Sequence, residues 1–243
     1  MVITKISIKE QVYEYLKSAI VRGTLAPHTI YSEQMIADEL QVSRTPVREA
    51  IQLLKHENLV EIYSNRGFGV KAISSEDIDE IIEARLAIEE FGIRRLVRDC
   101  RSEKGQTALD QLALCIEKTK EAAKSHHQYE FSESDVAFHR LLVAFTENPY
   151  LMQVSDMIHT KQEQATVHSL HDTDRMAKAI REHECILTFL RAGDETGAVR
   201  AFEEHMQVTS EILHTAENVA DQWGLTREEL DEFAAASQQK AVA

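Results

Sequence analysis

The hydrophobic pattern near the start of the chain predicts three helices followed by a β-hairpin. Apolar residues recur at helical spacing over the first segment, which ends at Gly23, and Ser32 and Ser43 stand at N-cap positions of the next two. The predicted helices cover residues 8–22, 33–40 and 44–57, and the predicted strands cover residues 59–63 and 68–73. Ser64-Asn65-Arg66-Gly67 supplies the hairpin turn.

Beyond residue 73 the spacing predicts helices alone. Ser74 and Ser75 followed by Glu76 and Asp77 are typical of a helix start. The predicted helices cover residues 76–100, 104–125, 130–147, 149–169, 174–192 and 195–219. Thr226 and Glu229 predict a further short helix, followed by a loose tail. We therefore expect a mostly α chain with two domains, at 1–73 and 74–222, and a C-terminal segment at 223–243.

Charge is distributed unevenly between the two predicted domains. Residues 1–73 hold 9 Lys+Arg and 8 Asp+Glu, whereas the rest of the 243-residue chain holds 27 − 9 = 18 and 41 − 8 = 33. The net charge of -14 therefore belongs to the C-terminal part. A near-neutral N-terminal domain can still bind DNA if its few cations share one face.

Cysteine usage and hydropathy exclude several classes of protein. Cys100, Cys115 and Cys185 are odd in number and widely spaced, which fits neither a disulfide framework nor a zinc finger. Charged residues interrupt the N-terminus, and no run approaches 18 apolar residues. We expect a cytoplasmic protein with no membrane partner.

The segment from Glu33 to Gln52 fits a helix-turn-helix motif whose second helix opens with cations. Arg44 and Arg48 are four residues apart and so share a face, from which either can pair with guanine or grip a phosphate. Ser43 and Thr45 hydroxyls can reach phosphates at the same helix end. Arg66 at the hairpin tip can enter a minor groove, and Gly67 allows close backbone approach. The alternative is an ordinary three-helix bundle with surface arginines.

The run MIADELQVSRTPVREAIQLLKHENLVEIYSNRGFGV, residues 35–70, closely resembles the DNA-binding domain of the GntR family of bacterial regulators. The resemblance implies a winged helix-turn-helix domain of three helices plus a β-hairpin. It also implies operator contacts from the recognition helix and the wing, and phosphate contacts from the residues before the motif. The positions concerned are Ser43, Arg44, Thr45, Arg48, Gly67 and, before the motif, Glu33 and Gln34. Gln41 and Asn58 replace glycines that are usual in the family, at a cost of about 1 kcal/mol each if left-handed.

Four residues of the second domain form a candidate metal site. Asp135 and His139 are four apart on one predicted helix, and His183 and His205 each lie on an apolar stripe. A lone histidine on such a stripe is usually a satisfied core residue. Three histidines with a carboxylate are different, because a shared cation offsets the cost of burying the charge. Carboxylate and imidazole ligands suit Zn, Ni, Fe or Mn.

The 76–219 region resembles the all-helical effector domain of the FadR-type branch of GntR regulators. Its four ligand positions match Asp135, His139, His183 and His205, which implies a divalent metal, zinc first, with open positions for an effector carboxylate. Arg85 lies on an inward stripe and needs an anion, which is either Glu89 or the effector. Both roles for Arg85 stay open at this point.

Together these patterns predict a ligand-responsive transcription regulator and not an enzyme. We expect a homodimer that binds a palindromic operator. We expect it to act as a repressor that leaves the operator when a small organic acid, such as a sugar acid or dicarboxylate, binds. The alternative is a regulator that activates transcription. We expect the second domain to be an all-α antiparallel helical bundle. The rival interpretations are a purely structural metal in that same bundle, a metal-dependent hydrolase, and a DNA binder without an effector.

Overall fold

The computed structural model describes residues 6–64, 66–125, 127–166 and 173–223, and the chain divides into two compact units between Ile73 and Ser74. The first unit contains α1 (Ile8–Val21), β1 (Ile30–Tyr31), α2 (Glu33–Glu39), α3 (Arg44–His56), β2 (Val60–Tyr63) and β3 (Gly67–Val70). The second contains α4 (Ser75–Asp99), α5 (Glu103–Lys124), α6 (Gln128–Ala144), α7 (Pro149–Thr166), α8 (Thr173–Ala192) and α9 (Glu195–Trp223). The predicted mostly α class is confirmed. The predicted helix at Thr226 and the tail lie outside the described residues.

The first unit is a three-helix domain closed by a small sheet. Helix α1 packs on α3, and α3 packs on α2 and β2. Apolar side chains from all these elements form one buried core, which includes Leu16, Ile36, Val47, Ile51, Leu54 and Phe68. The burial of this face, rather than helix propensity alone, holds such short helices in place.

The hairpin carries a third strand that the hydrophobic pattern does not predict. The strands lie in the order β1-β3-β2, and both pairs are antiparallel. Strand β1 has only two residues, Ile30 and Tyr31, opposite Gly69 and Phe68 of β3. Two residues are too few to show the alternation by which a strand is recognised.

Two turns have a non-glycine residue at the position where the family usually has glycine, and both residues adopt the backbone conformation that glycine favours. Gln41 and Asn58 both adopt left-handed conformations, with φ of 53° and 59°. Ser32 caps α2 by accepting a hydrogen bond from the Met35 amide. Ser43 occupies the predicted N-cap position of α3, although its side chain makes no capping hydrogen bond.

The second unit is an antiparallel bundle of helices. Ser74 and Asp77 form a capping box at the start of α4, which packs against α6, α7 and α9. Gly92 of α4 lies directly against the backbone of α6, where an added Cβ would sit 2.2 Å from the Leu142 carbonyl oxygen. Among the described residues, no helix combines the length and apolarity needed to cross a bilayer.

Candidate metal centre and nucleic-acid interface

The predicted DNA-contacting residues of α3 all lie on its exposed surface. Ser43, Arg44, Thr45 and Arg48 are exposed at the N-terminal end of the helix, while Val47 between them is buried in the core. The helix N-terminus adds its own attraction for an anion. The residues thus form one surface of cations and hydroxyls suited to phosphates and base edges.

The two positions that precede the motif behave differently from the expectation of phosphate contacts. The Glu33 carboxylate accepts hydrogen bonds from Arg44 Nη2 at 3.1 Å and from Arg48 Nη2 at 2.8 Å. Gln34 is exposed, and its side-chain amide donates to Asp38 Oδ1 at 2.7 Å. Phosphate contact by Gln34 therefore stays a prediction, and the second N–H of the same amide is the donor that could make it.

At the wing, Arg66 is exposed, whereas Gly67 has a structural reason to be glycine. Its φ is +127°, and an added Cβ would lie 2.1 Å from the Tyr31 carbonyl oxygen of β1. The close backbone contact at Gly67 is therefore a contact with the neighbouring strand β1. A contact between this glycine and DNA stays a prediction.

Three of the four predicted metal ligands converge in the interior of the bundle. His139 of α6 lies with its Nε2 atom 3.2 Å from Nε2 of His183 on α8 and 3.2 Å from Nε2 of His205 on α9. All three side chains are buried, and Phe138 stacks on the His183 ring. Donor atoms of these three histidines all lie within 4.8 Å of one another. Nitrogen ligands about 2.0–2.1 Å from a tetrahedral zinc ion would be separated by roughly 3.3 Å, so this spacing fits a metal.

Carboxylates hold the opposite edges of two of these rings. Glu89 Oε2 lies 2.6 Å from His139 Nδ1, and Glu182 Oε2 lies 2.7 Å from His205 Nδ1. Each contact places a proton on Nδ1 and leaves the Nε2 lone pair pointing into the cluster. Two lone pairs then face each other at 3.2 Å unless a proton or a metal ion lies between them.

Burial keeps the cluster in the form that a metal requires. It lowers the pKa of His139 and of His183 well below the ordinary histidine value, so both rings are neutral at pH 7. A neutral imidazole is the form that binds a cation without first losing a proton.

Asp135 lies at the edge of the cluster and not within it. Its Oδ1 atom is 3.7 Å from His183 Nε2, and its side chain keeps 18% of its exposure. Burial raises the pKa of this carboxyl group, which the nearby His205 and Arg85 oppose. A bound cation would favour the ionised form. Ligation by Asp135 stays a prediction.

Arg85 is fully buried beside the histidines and pairs with Glu89, whose Oε1 lies 2.6 Å from Arg85 Nε. Glu89 thus serves both Arg85 and His139. His159 of α7 is also fully buried, with Nε2 3.6 Å from Glu89 Oε1. Sequence reasoning named Glu89 only as a partner for Arg85 and did not single out His159. The signal available was the inward stripe of α7, on which His159 shares a face with Ser155 and Gln162.

A cavity of about 40 Å³ opens beside His205. Its polar lining consists of Ser132, Asp135, Gln162, Arg175, His205 and Thr209, and the apolar lining includes Phe131 and Leu213. Arg85 is not part of this lining. Arg175 is, and its Nη1 donates to Glu182 Oε2 at 3.0 Å. Among the described residues, Arg175 is therefore the arginine that lines the cavity, and the sequence analysis did not identify it.

Comparison with known families places both units. Residues 8–70 match the model of the bacterial regulatory proteins of the gntR family, and residues 80–208 match that of the FCD domain. The chain is a GntR-family regulator with an FCD domain. GntR-family regulators of this kind are transcription factors rather than enzymes, so the hydrolase alternative is excluded.

Relatives of this GntR-family regulator include other regulators of transcription. An uncharacterized HTH-type regulator of Bacillus subtilis, YdhC, is 28% identical over 84% of the chain and 89% of its own length. The Escherichia coli transcriptional repressor RspR is 26% identical over 89% and 93%. The gluconate operon repressor of Bacillus subtilis is 32% identical over 63% and 60%.

Solved structures share the fold of this regulator. Escherichia coli McbR/YncC superposes with a TM-score of 0.74 at 22% identity, covering 87% of this chain and 99% of that one. A GntR-type regulator from Rhodococcus sp. RHA1 gives the same TM-score and identity over 86% and 98%. At this level of identity the likeness establishes the fold alone.

Proposed function

We propose that this GntR-family regulator is a repressor that leaves its operator when a small carboxylate binds beside a divalent metal in the FCD domain. Several relatives are named as repressors, of the gluconate operon and of a D-xylose utilization operon. We infer repression, as opposed to activation, from the names of those relatives. The metal-based part rests on the residues of the bundle.

The observation that carries the proposal is the convergence of three imidazole nitrogens whose opposite edges are held by Glu89 and Glu182. His139, His183 and His205 would hold the metal, with Asp135 as the fourth ligand. Zinc is the first candidate for this donor set, and nickel, iron and manganese are compatible with it. When bound, the ion supplies positive charge that attracts a carboxylate.

Elemental analysis of the purified full-length protein tests the metal site. We expect about one divalent ion per chain, which His183→Asn removes. His159→Gln is the matched control, because this histidine is equally buried on the neighbouring helix but lies outside the cluster. Metal retained by His183→Asn, or absent from the wild type after reloading, would contradict the assignment.

A second measurement separates an effector platform from a purely structural metal. Chelation of a structural ion should unfold the bundle, whereas chelation of a platform should remove effector affinity and leave helical content. Circular dichroism and effector titration on the same chelated sample provide the two readouts. Loss of both together favours the structural alternative.

The cavity beside His205 is the proposed effector site, and Arg175 is the proposed anchor for an anionic group. A volume of about 40 Å³ holds a water or two, so a sugar acid enters only if the lining moves. Arg175 can release Glu182 and turn to the ligand. Arg85 does not line the cavity, and its proposed role is to act through Glu89. Direct contact between Arg85 and the effector stays a prediction.

Thermal shift with gluconate, other sugar acids and dicarboxylates identifies the effector class. Arg175→Gln should abolish the shift, and Arg181→Gln, a surface arginine of the same helix, should retain it. Equal shifts in both variants would remove Arg175 from the site.

DNA binding belongs to the first unit, and base reading by Arg44 and Arg48 with support from Arg66 is part of the proposal. Selection from a randomised duplex pool should yield a palindrome, as expected for a two-fold dimer. Arg48→Ala should then lose at least tenfold in affinity for the selected site. Unchanged affinity would exclude this residue from base reading.

We also propose a homodimer, because two DNA-binding domains related by a two-fold axis would match a palindromic operator. One face of α7 supports this proposal. Tyr150, Val154 and Met157 lie at successive turns of that helix and are all exposed. Such an apolar stripe is costly when left in water. Light scattering should report a dimer, which Val154→Glu weakens; a monomeric wild type would contradict the proposal.

A further inference from the structure

Glu33 lies between the two arginines of the recognition helix. Its Oε2 atom accepts from Arg44 Nη2 at 3.1 Å and from Arg48 Nη2 at 2.8 Å, and its Oε1 accepts from Arg48 Nε at 3.1 Å. The carboxylate is largely covered, with 18% of its side chain exposed, whereas the two arginine side chains keep 54% and 60%. One side chain of α2 therefore fixes two cations of α3.

The pairing leaves the DNA-reading edge of Arg48 available. Glu33 takes the side edge of the guanidinium, formed by Nε and one N–H of Nη2. The terminal edge, formed by Nη1 and the second N–H of Nη2, stays free of this pair by covalent geometry. That edge is the one suited to a two-pronged contact with guanine O6 and N7.

A carboxylate at this place works against general affinity for DNA. Phosphate attraction scales with the positive charge that a protein brings to the backbone, and Glu33 reduces the charge of this group from +2 to +1. Hydrogen bonds from Arg48 and Arg44 lower its pKa, so it stays ionised at neutral pH. An exposed ion pair adds little to fold stability, so stability alone does not account for the arrangement.

What Glu33 provides is order in two long side chains. A free arginine loses much rotamer freedom when it docks on a base, and a partner that holds it beforehand removes part of that loss. Phosphates accept a guanidinium in many orientations, whereas a guanine edge accepts it in one. Ordering the side chains therefore favours the correct sequence over arbitrary DNA.

We propose that Glu33 is a positioning residue for sequence discrimination: it orients Arg44 and Arg48 toward base edges and weakens binding to non-operator DNA. The inference rests on the proposed function, in which these arginines read the operator. It assigns to Glu33 a role opposite to the phosphate contact expected from its sequence position.

The experiment uses the full-length protein, the duplex selected by the wild type, and a scrambled duplex of equal length. Affinities for both are measured over a range of salt concentrations for the wild type and Glu33→Gln. We expect Glu33→Gln to bind the scrambled duplex several-fold more tightly, with a salt slope steeper by up to about one. The ratio of specific to non-specific affinity should fall by about tenfold or more.

Asp38→Asn is the matched control. It removes the same charge from α2, but Asp38 contacts Gln34 and not an arginine among the described residues. We expect it to strengthen binding to both duplexes and to leave their ratio unchanged. Glu33→Asp, which keeps the charge on a shorter side chain, should restore part of the ratio.

The outcomes separate this inference from the function on which it rests. A ratio in Glu33→Gln within twofold of the wild type, or an equal fall in Asp38→Asn, overturns the role of Glu33 alone. If the wild type selects no sequence, or Arg48→Ala binds the selected site as well as wild type, both the inference and the base-reading proposal fail.

Discussion

The buried carboxylate Glu89 offers the most informative single perturbation. Its two oxygens lie 2.6 Å from Arg85 Nε and 2.6 Å from His139 Nδ1, and neither Glu89 nor Arg85 has any exposed side chain. Glu89→Gln keeps the shape and removes the charge. Arg85 then remains charged in the interior without an anion, which costs roughly 3–5 kcal/mol when a buried pair is broken in this way.

The same change should weaken metal binding at the proposed site. The carboxylate holds the proton on His139 Nδ1 and increases the basicity of Nε2, and loss of such a partner typically lowers metal affinity by about 10–100-fold. Urea unfolding of the chelated protein measures the first effect. Competition with a chromophoric chelator measures the second on the reloaded protein.

Two further variants serve as controls for Glu89→Gln. Arg85→Met with Glu89→Leu removes both charges, so the cost of the unpaired Arg85 charge should disappear while metal affinity stays reduced. A loss of roughly 1–3 kcal/mol should remain, because the buried His139 Nδ1–H no longer has an acceptor. Glu204→Gln breaks an exposed pair with Arg200 of the same four-residue spacing and should cost under about 0.5 kcal/mol. If Glu89→Gln destabilises no more than Glu204→Gln, the central role given to this buried pair is wrong.

Three other changes probe the backbone and the histidines. Gly67→Ala should destabilise the first unit by more than about 2 kcal/mol, because of its φ of +127° and the Tyr31 carbonyl oxygen; an unchanged unfolding midpoint would contradict this. Gln41→Gly should stabilise the same unit by about 1 kcal/mol, since a left-handed residue loses its steric cost, and calorimetry checks it. Burial lowers the pKa of His139 and His183 in the folded chain, so the unfolded chain binds more protons at acidic pH. Stability of the metal-free protein should therefore fall as pH drops below about 6.5, by up to about 1.4 kcal/mol per histidine and pH unit; a flat profile in urea titrations between pH 7.5 and 5.5 would refute it.

Much of the fold was predictable because its signals are local. Capping residues such as Ser32 and Ser74 mark helix starts, and the left-handed turns at Gln41 and Asn58 follow from where glycine is usual. Strand β1 was not predictable, because its two residues become a strand only through pairing with β3. Local pattern thus recovers elements that are stable in their own neighbourhood and misses those formed by distant contact.

The candidate site shows the same limit. Helical spacing correctly places His183 and His205 on inward faces, and His139 is buried beside them. It does not give the axial register between helices, so the pairing of His139 with Glu89, 50 residues away, could not be read from the chain. The role of Arg175 depends in the same way on which helix ends meet.

Gly92 illustrates how an unreactive residue can govern a chemical centre. It lies three residues, less than one helical turn, beyond Glu89 on α4, at the point where that helix touches the backbone of α6 beside Leu142. His139 lies about one turn before Leu142 on α6. The distance between α4 and α6 at Gly92 therefore sets how closely the Glu89 carboxylate can approach the His139 imidazole. Even a single methyl group there would wedge the two helices apart. The geometry of the proposed metal centre therefore depends on the absence of a side chain at position 92, and substitution there should alter metal selectivity without changing a ligand.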